Sequence, residues 1–202
     1  AELAGRIRGA ASFGIDLEFQ RERTYYAKLC LIQVAVPIDA GREELALIDP
    51  FEVKNLEPLW TLIADPEIEK TLHAGDQDME IVYQEGRVVP RRIFDTQIGA
   101  ALIGYGDQPG YATLVDRVLS VRLSKLETVT DWVRRPLTPG QIEYALDDVH
   151  YLYPVRRHIE TRLAETGRTD WAREEMSHYE ERENYEKDPA RLPWKALGAQ
   201  VV

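Results

Sequence analysis

The sequence predicts a mixed α/β sheet flanked by helices, and three observations carry that prediction. Apolar runs linked by short polar segments fill residues 12–50, the pattern of an antiparallel meander. The hydrophobic period then lengthens to helical spacing, broken by short strand-like stretches near residues 71–74 and 93–95. Everything after that reads as helical. A meander followed by alternating helices and strands gives one sheet covered by helices.

Leu3, Ile7 and Ala11 stand at helical spacing, so residues 1–10 form a short helix. Residues 12–19 form the first strand, in which Asp16 and Glu18 share one face while Ile15, Leu17 and Phe19 share the other. After the polar turn at 20–23, residues 29–36 and 44–50 supply the second and third strands, the latter stopped by Pro50. Leu56, Leu59, Trp60 and Ile63 suit an amphipathic helix, Thr71 to Ala74 a strand, Met79, Val82 and Tyr83 a helix, and Ile93 to Asp95 a last strand. Breaks fall at 104–106, 109–110 and 136–139. Thr138, Pro139 and Gln141 form a capping box that opens a helix through residue 152.

A length of 202 residues suits one domain with a full core and a short appendage. Hydrophobic content of 44% and charged content of 30% are those of a globular protein. The single cysteine, Cys30, lies in an apolar run, as a buried residue in a reducing compartment would. No apolar run approaches the roughly 20 residues of a membrane helix. No signal peptide opens the chain, and neither does a methionine, which fits an excised or processed segment. The net charge of −10 excludes a broad electrostatic clamp on nucleic acid. It leaves a cation-dependent site open, because carboxylates gathered for metal inflate the negative count.

Asp16 and Glu18 side by side repel one another unless a cation or donors lie between them. Further acids fall in the stretch Asp76, Gln77, Asp78, at Asp95, and at Asp147 and Asp148 beside Tyr144. Tyr144 and Asp148 share a helix face at i and i+4, and Asp147 stands near it; periodicity alone does not choose between the two aspartates. Carboxylates converging from a strand and two helices suit two divalent cations roughly 4 Å apart, the arrangement of in-line phosphoryl displacement.

The motifs together resemble ribonuclease D and the wider DEDD group of 3′→5′ exonucleases, in the subgroup with a catalytic tyrosine. The resemblance covers residues 13–155. It is carried by Asp16 and Glu18 within Ile-Asp-Leu-Glu-Phe, by Arg23, Tyr25, Tyr26 and the phrase ending at Gln33, and by Leu72 to Glu80. Tyr144 and Asp148, the stretch Ile93 to Gln97, and Thr130, Asp131 and Trp132 complete it. Leu17 replaces a usual threonine, Ala27 a frequent proline, and Leu126 a serine after Lys125.

The resemblance implies a ribonuclease H-like fold. It implies an exonuclease domain over residues 1–161 and a polar helical extension over 162–202, leading toward a helical C-terminal domain of the kind shared with RecQ helicases. It selects Asp16, Glu18, Asp78 and Asp148 as ligands for two divalent cations, Mg²⁺ or Mn²⁺. Tyr144 is the residue that orients the attacking water. His73, Lys125 and Tyr25 are the candidate substrate contacts. The implied substrate is RNA with a free 3′ end, such as tRNA precursors and small structured RNAs, in the cytoplasm. Single-stranded DNA is the alternative substrate, as in proofreading or Werner-type nucleases; an inactive nucleic-acid-binding module is a third reading.

The remaining residues have local readings. Asp76 is expected as a helix N-cap, Asp95 as structural and Trp132 as core. His73 suits a substrate contact or a satisfied core histidine equally. Tyr25 and Tyr26 offer rings for base stacking or for local packing. Arg21, Arg23, Arg91, Arg92, Arg134 and Arg135 read as solvated charges, with Arg134 and Arg135 beside Lys125 as guides for a strand. The glutamates of 174–183 read as a solvated helix face.

Overall fold

The computed structural model describes residues 2–21, 26–39, 42–123 and 130–186. Its single five-stranded sheet has the order β3-β2-β1-β4-β5. The strands are β1 (Ser12–Gln20), β2 (Lys28–Asp39), β3 (Arg42–Ile48), β4 (Glu69–Leu72) and β5 (Ile93–Asp95). β1, β2 and β3 pair antiparallel, as the meander reading requires, and β4 and β5 join in parallel beside β1. The acid-bearing strand is therefore the middle of the sheet.

The alternation read in β1 decides which layer covers which face. Ile15 lies opposite Val34 and Leu17 opposite Ile32. These four are buried in one core with residues of α1 (Glu2–Ala10), α2 (Glu57–Ala64) and α3 (Asp76–Gly86). Asp16 lies opposite Gln33, Glu18 opposite Leu31 and Gly14 opposite Ala35. That second face carries α6 (Pro139–His150), whose Ala145 joins the cluster of Leu31 and whose Val149 joins that of Ala35. Leu152 opens α7 (Leu152–Glu165) directly on β1, where a Cβ at Gly14 would stand 3.1 Å from Leu152 Cδ1. A bare glycine lets this helix junction sit on the strand.

α6 begins with the expected capping box: Gln141 N–H donates to Thr138 Oγ1 at 3.2 Å, and Thr138 N–H donates to Gln141 Oε1 at 2.9 Å. α4 (Thr96–Leu102), α5 (Tyr111–Leu119), α7 and α8 (Thr169–Met176) close a second core around Phe94, Ile159, Leu163 and Met176. The division expected at 161/162 falls inside α7, and the chain continues through a short 3-10 helix, Ser177–Glu180, that buries Tyr179.

Four local expectations are corrected. The strand read at 71–74 runs instead from Glu69 to Leu72, because Ala74 takes a left-handed backbone (φ 55°) that turns the chain into α3. Buried Lys70 falls within it, donating to the carbonyls of Asp65 at 2.8 Å and Ile68 at 2.6 Å. Asp76 is not the N-cap of α3; Gly75 is, and the Asp76 carboxylate pairs with His178 Nε2 at 2.8 Å. Arg135 is half-buried and paired, not a free surface charge: it bonds Asp49 Oδ2 at 2.5 Å, the Cys30 carbonyl at 2.7 Å and the Trp132 carbonyl at 2.8 Å. Within the glutamate-rich stretch, Glu180 accepts from the Arg92 N–H at 2.8 Å and from Arg91 at 3.2 Å. Trp132 and Cys30 are buried, as expected. Among the described residues no helix is long and apolar enough to cross a membrane.

Candidate active site

The parallel strands β1, β4 and β5 end on the same edge, where open α/β sheets place their ligands. β1 presents Asp16 and Glu18 there, and α6 lowers Asp148 onto them. One carboxylate oxygen from each of Asp16, Glu18 and Asp148 lies within 4.8 Å of the others. Asp78, in the first turn of α3, is buried and adds its field from the side: it is the foremost charge raising Asp16 after burial itself. Asp78 lies outside the three-residue cluster, so the structure brings the four acids together as three plus one.

Burial and mutual repulsion act in the same direction on all four. Burial first, and then Asp78, Asp148 and Glu18, raise Asp16 well above the ordinary aspartate range. Burial, then Asp148 and Asp78, push Glu18 up to about 8. Burial, then Asp95, Asp148 and Asp76, push Asp78 to about 8. Asp148 rises to about 7 through burial and Asp147, opposed by a hydrogen bond from the Tyr144 hydroxyl. Asp147 does not belong to the cluster; its neighbours are Glu143 and His150. Of the two aspartates that periodicity left open, Asp148 is the one in the cluster.

This donor set fits a hard divalent cation. All the groups are carboxylate oxygens, brought from β1, α3 and α6, and among the described residues no cationic side chain is a cause of the shifts of Asp16 or Glu18. A second observation agrees. Gln33, across the sheet from Asp16, is fully buried with both side-chain polar atoms unpartnered among the described residues.

Asp95 builds the ledge that holds α3. Its carboxylate accepts from Ala74 N–H at 3.0 Å, Gly75 N–H at 3.3 Å, Gln97 N–H at 2.7 Å and the Tyr179 hydroxyl at 2.6 Å. It therefore caps α4 and fixes the turn before Asp78, in keeping with its structural reading. His73 Nδ1 lies 2.9 Å from Thr96 Oγ1, its ring packs 5.3 Å from Tyr111, and burial lowers its pKa. Tyr111, which the sequence reading passed over, is tied to the site. Its hydroxyl donates to the Asp147 carbonyl at 3.4 Å, and Asp148 and Asp16, after burial, raise its pKa. Only its apolar neighbours are visible in sequence, so nothing there marked it. Trp132 supports Tyr144, with ring centroids 6.1 Å apart. Tyr25 and Lys125 lie outside the described residues.

Carboxylates of the central strand of a mixed sheet and of the helix over it, with a tyrosine bonded to one of them, form an acidic cluster that fits a hard cation. The family model described as 3′-5′ exonuclease matches residues 1–164, and the chain belongs to that 3′-5′ exonuclease family. It is 45% identical over 200 residues to ribonuclease D of Jannaschia sp. (strain CCS1), covering 97% of this chain and 51% of that protein. The chain spans about half the length of the curated relatives it matches. The crystal structure of Escherichia coli RNase D, an exoribonuclease involved in structured RNA processing, superposes with a TM-score of 0.84 at 36% identity. That match covers 93% of this chain and 48% of the other. Brucella melitensis NrnC with bound Mg²⁺ superposes with a TM-score of 0.69 at 28% identity, covering 81% of this chain and 78% of that one; the same protein is also known bound to pGG.

Proposed function

We propose that this chain is a divalent-cation-dependent 3′→5′ exoribonuclease that releases nucleoside 5′-monophosphates one at a time from a 3′-hydroxyl end. The observation that carries the proposal is the meeting of Asp16, Glu18 and Asp148 within 4.8 Å, with Tyr144 bonded to Asp148. Asp16, Glu18 and Asp148 would hold one Mg²⁺ or Mn²⁺ and Asp78, with Asp16, a second. When bound, such cations lower the pKa of a water and neutralise charge on the phosphodiester.

The chain's own residues do the rest. The Tyr144 hydroxyl gives its proton to the hydrogen bond with Asp148 and keeps lone pairs to accept from the attacking water. Held so, the water is oriented toward the terminal phosphorus. Its oxygen bonds to phosphorus as it gives up a proton to solvent, the bond to the 3′ oxygen of the preceding nucleotide breaks, and that oxygen takes a proton back from solvent and leaves as a hydroxyl, so that one water is consumed. Tyr144 acts by position, since a free phenol near pKa 10 is a poor base at neutral pH.

The substrates proposed are tRNA precursors and small structured RNAs, in the cytoplasm; His73, Lys125 and Tyr25 are proposed to touch them. Residues 1–161 are proposed as the catalytic domain, with 162–202 as its extension. A second reading, action on very short oligonucleotides, is favoured by the likeness to NrnC, which binds pGG. The test is incubation with 3′-hydroxyl RNA, single-stranded DNA of the same sequence, duplexes and pGG, each with Mg²⁺, Mn²⁺ or chelator, resolving products by length. Stepwise shortening of RNA with cation alone supports the proposal. Cleavage of DNA in preference to RNA, or of pGG alone, overturns the substrate assignment.

A further inference from the structure

Among the described residues Gln33 is the one side chain with two buried polar atoms that both lack a hydrogen bond. Buried amides are nearly always paired, because leaving the donors and acceptor unmet forfeits their hydration for nothing. Gln33 is wholly inaccessible, so bulk water cannot relieve it. Its place explains what can. Gln33 on β2 is the register partner of Asp16 on β1, and directly opposed residues of an antiparallel pair project from the same face with Cβ atoms close together. Its neighbours on that face, Leu31 and Ala35, pack in clusters with Ala145 and Val149 of α6. The amide thus lies beneath the part of α6 that carries Asp148, beside the Asp16 carboxylate.

We propose that Gln33 is a positioning residue of the cation site, its carboxamide taking up a hydrogen bond to the Asp16 carboxylate when divalent cations bind. The inference rests on the proposed cation-dependent function. A neutral amide is suited to the task. It can donate to Asp16 without adding a positive charge that would compete with the cations, as a lysine or arginine there would. An apolar residue would serve packing better, and nothing about the strand itself calls for an amide at this position.

Two measurements test this without recourse to turnover. In the ¹⁵N-labelled wild-type protein, titration with Mg²⁺ should shift the Gln33 side-chain amide resonances and slow their exchange with solvent. In Gln33→Met, which keeps the length of the side chain and removes the hydrogen-bonding groups, Mn²⁺ affinity by calorimetry should fall about 10- to 100-fold, as for other supporting residues of metal sites. The cation-free Tm should hold or rise. The proposal is overturned by Mg²⁺ binding that leaves the Gln33 resonances unmoved. It is equally overturned by a Gln33→Met protein that loses Tm while binding Mn²⁺ like the wild type, which would mark a purely structural amide. Failure of the wild type to bind either cation would instead remove the functional reading beneath it, so the two failures are distinct.

Discussion

The hydroxyl of Tyr179 donates a 2.6 Å hydrogen bond to Oδ2 of Asp95, across a sequence separation of 84 residues. Asp95 also gathers the backbone N–H groups of Ala74 and Gly75, which open the turn into α3. The segment after α8 therefore braces the ledge from which Asp78 reaches the site. Tyr179→Phe should cost about 1.5–3 kcal/mol, the usual worth of a hydrogen bond to a charged group. Denaturant unfolding should show it as a lower midpoint with an unchanged slope.

Arg135 closes a similar brace on the other side, between the segment before α6 and the end of β3. Its fork serves Asp49 and the carbonyls of Cys30, Trp132 and Arg134 at once. Arg135→Ala should cost on the order of 1.5–3 kcal/mol. Arg135→Lys should recover only part, since an ammonium cannot span the same set of acceptors. The hydrogen bond from Arg135 holds Asp49 below the usual aspartate range. Its stabilisation is thus present above the unfolded-state pKa and is lost as pH falls through the folded one. The gap between wild type and Arg135→Ala should therefore narrow in strong acid, as urea titrations at several pH values would record.

The site carboxylates predict the opposite trend with pH. Glu18 and Asp78 stand near 8 and Asp148 near 7, all above their unfolded values. Between about pH 4 and 8 the folded protein thus binds more protons than the unfolded chain, and stability falls as pH rises. Cation-free protein should melt at a lower temperature at pH 8 than at pH 5.5. Mg²⁺ should stabilise it more at pH 8, and should displace protons on binding near pH 7. Calorimetry in buffers of different ionisation enthalpy measures that release; no release would contradict the assigned cluster.

Tyr144→Phe removes the hydroxyl while leaving the carboxylates in place. Turnover should fall on the order of 10²-fold, the loss expected when an attacking group is no longer positioned. Cation affinity should stay within a small factor of wild type. Single-turnover kinetics beside Mn²⁺ titration separate the two effects.

Much of this was legible in the sequence, for definite reasons. The two-residue alternation of β1 announced that Asp16 and Glu18 share a face, and the capping box at Thr138 fixed where α6 begins and hence how Tyr144 and Asp148 align. What stayed hidden depends on long-range partners. Arg135 reads as a surface charge until Asp49 and the Cys30 carbonyl are brought to it. Asp76 has the composition of an N-cap, but Gly75 holds that position and His178 claims the Asp76 carboxylate. Gln33 sits in an apolar run whose pattern discloses burial and not the missing partner. Tyr111 looks like any aromatic until its hydroxyl meets the backbone of α6.

The central claim is that Asp16 anchors a cation-dependent hydrolytic site, and Asp16→Asn tests it most directly. The substitution removes one of the mutually repelling charges, so the variant should fold and, without cation at pH 8, melt no lower than wild type. With 5′-labelled RNA bearing a 3′ hydroxyl and excess Mg²⁺, wild type should give a ladder shortened nucleotide by nucleotide with release of 5′-monophosphates. Asp16→Asn, and wild type with chelator, should leave the RNA intact. Folded Asp16→Asn protein that shortens the RNA at the wild-type rate would contradict the account.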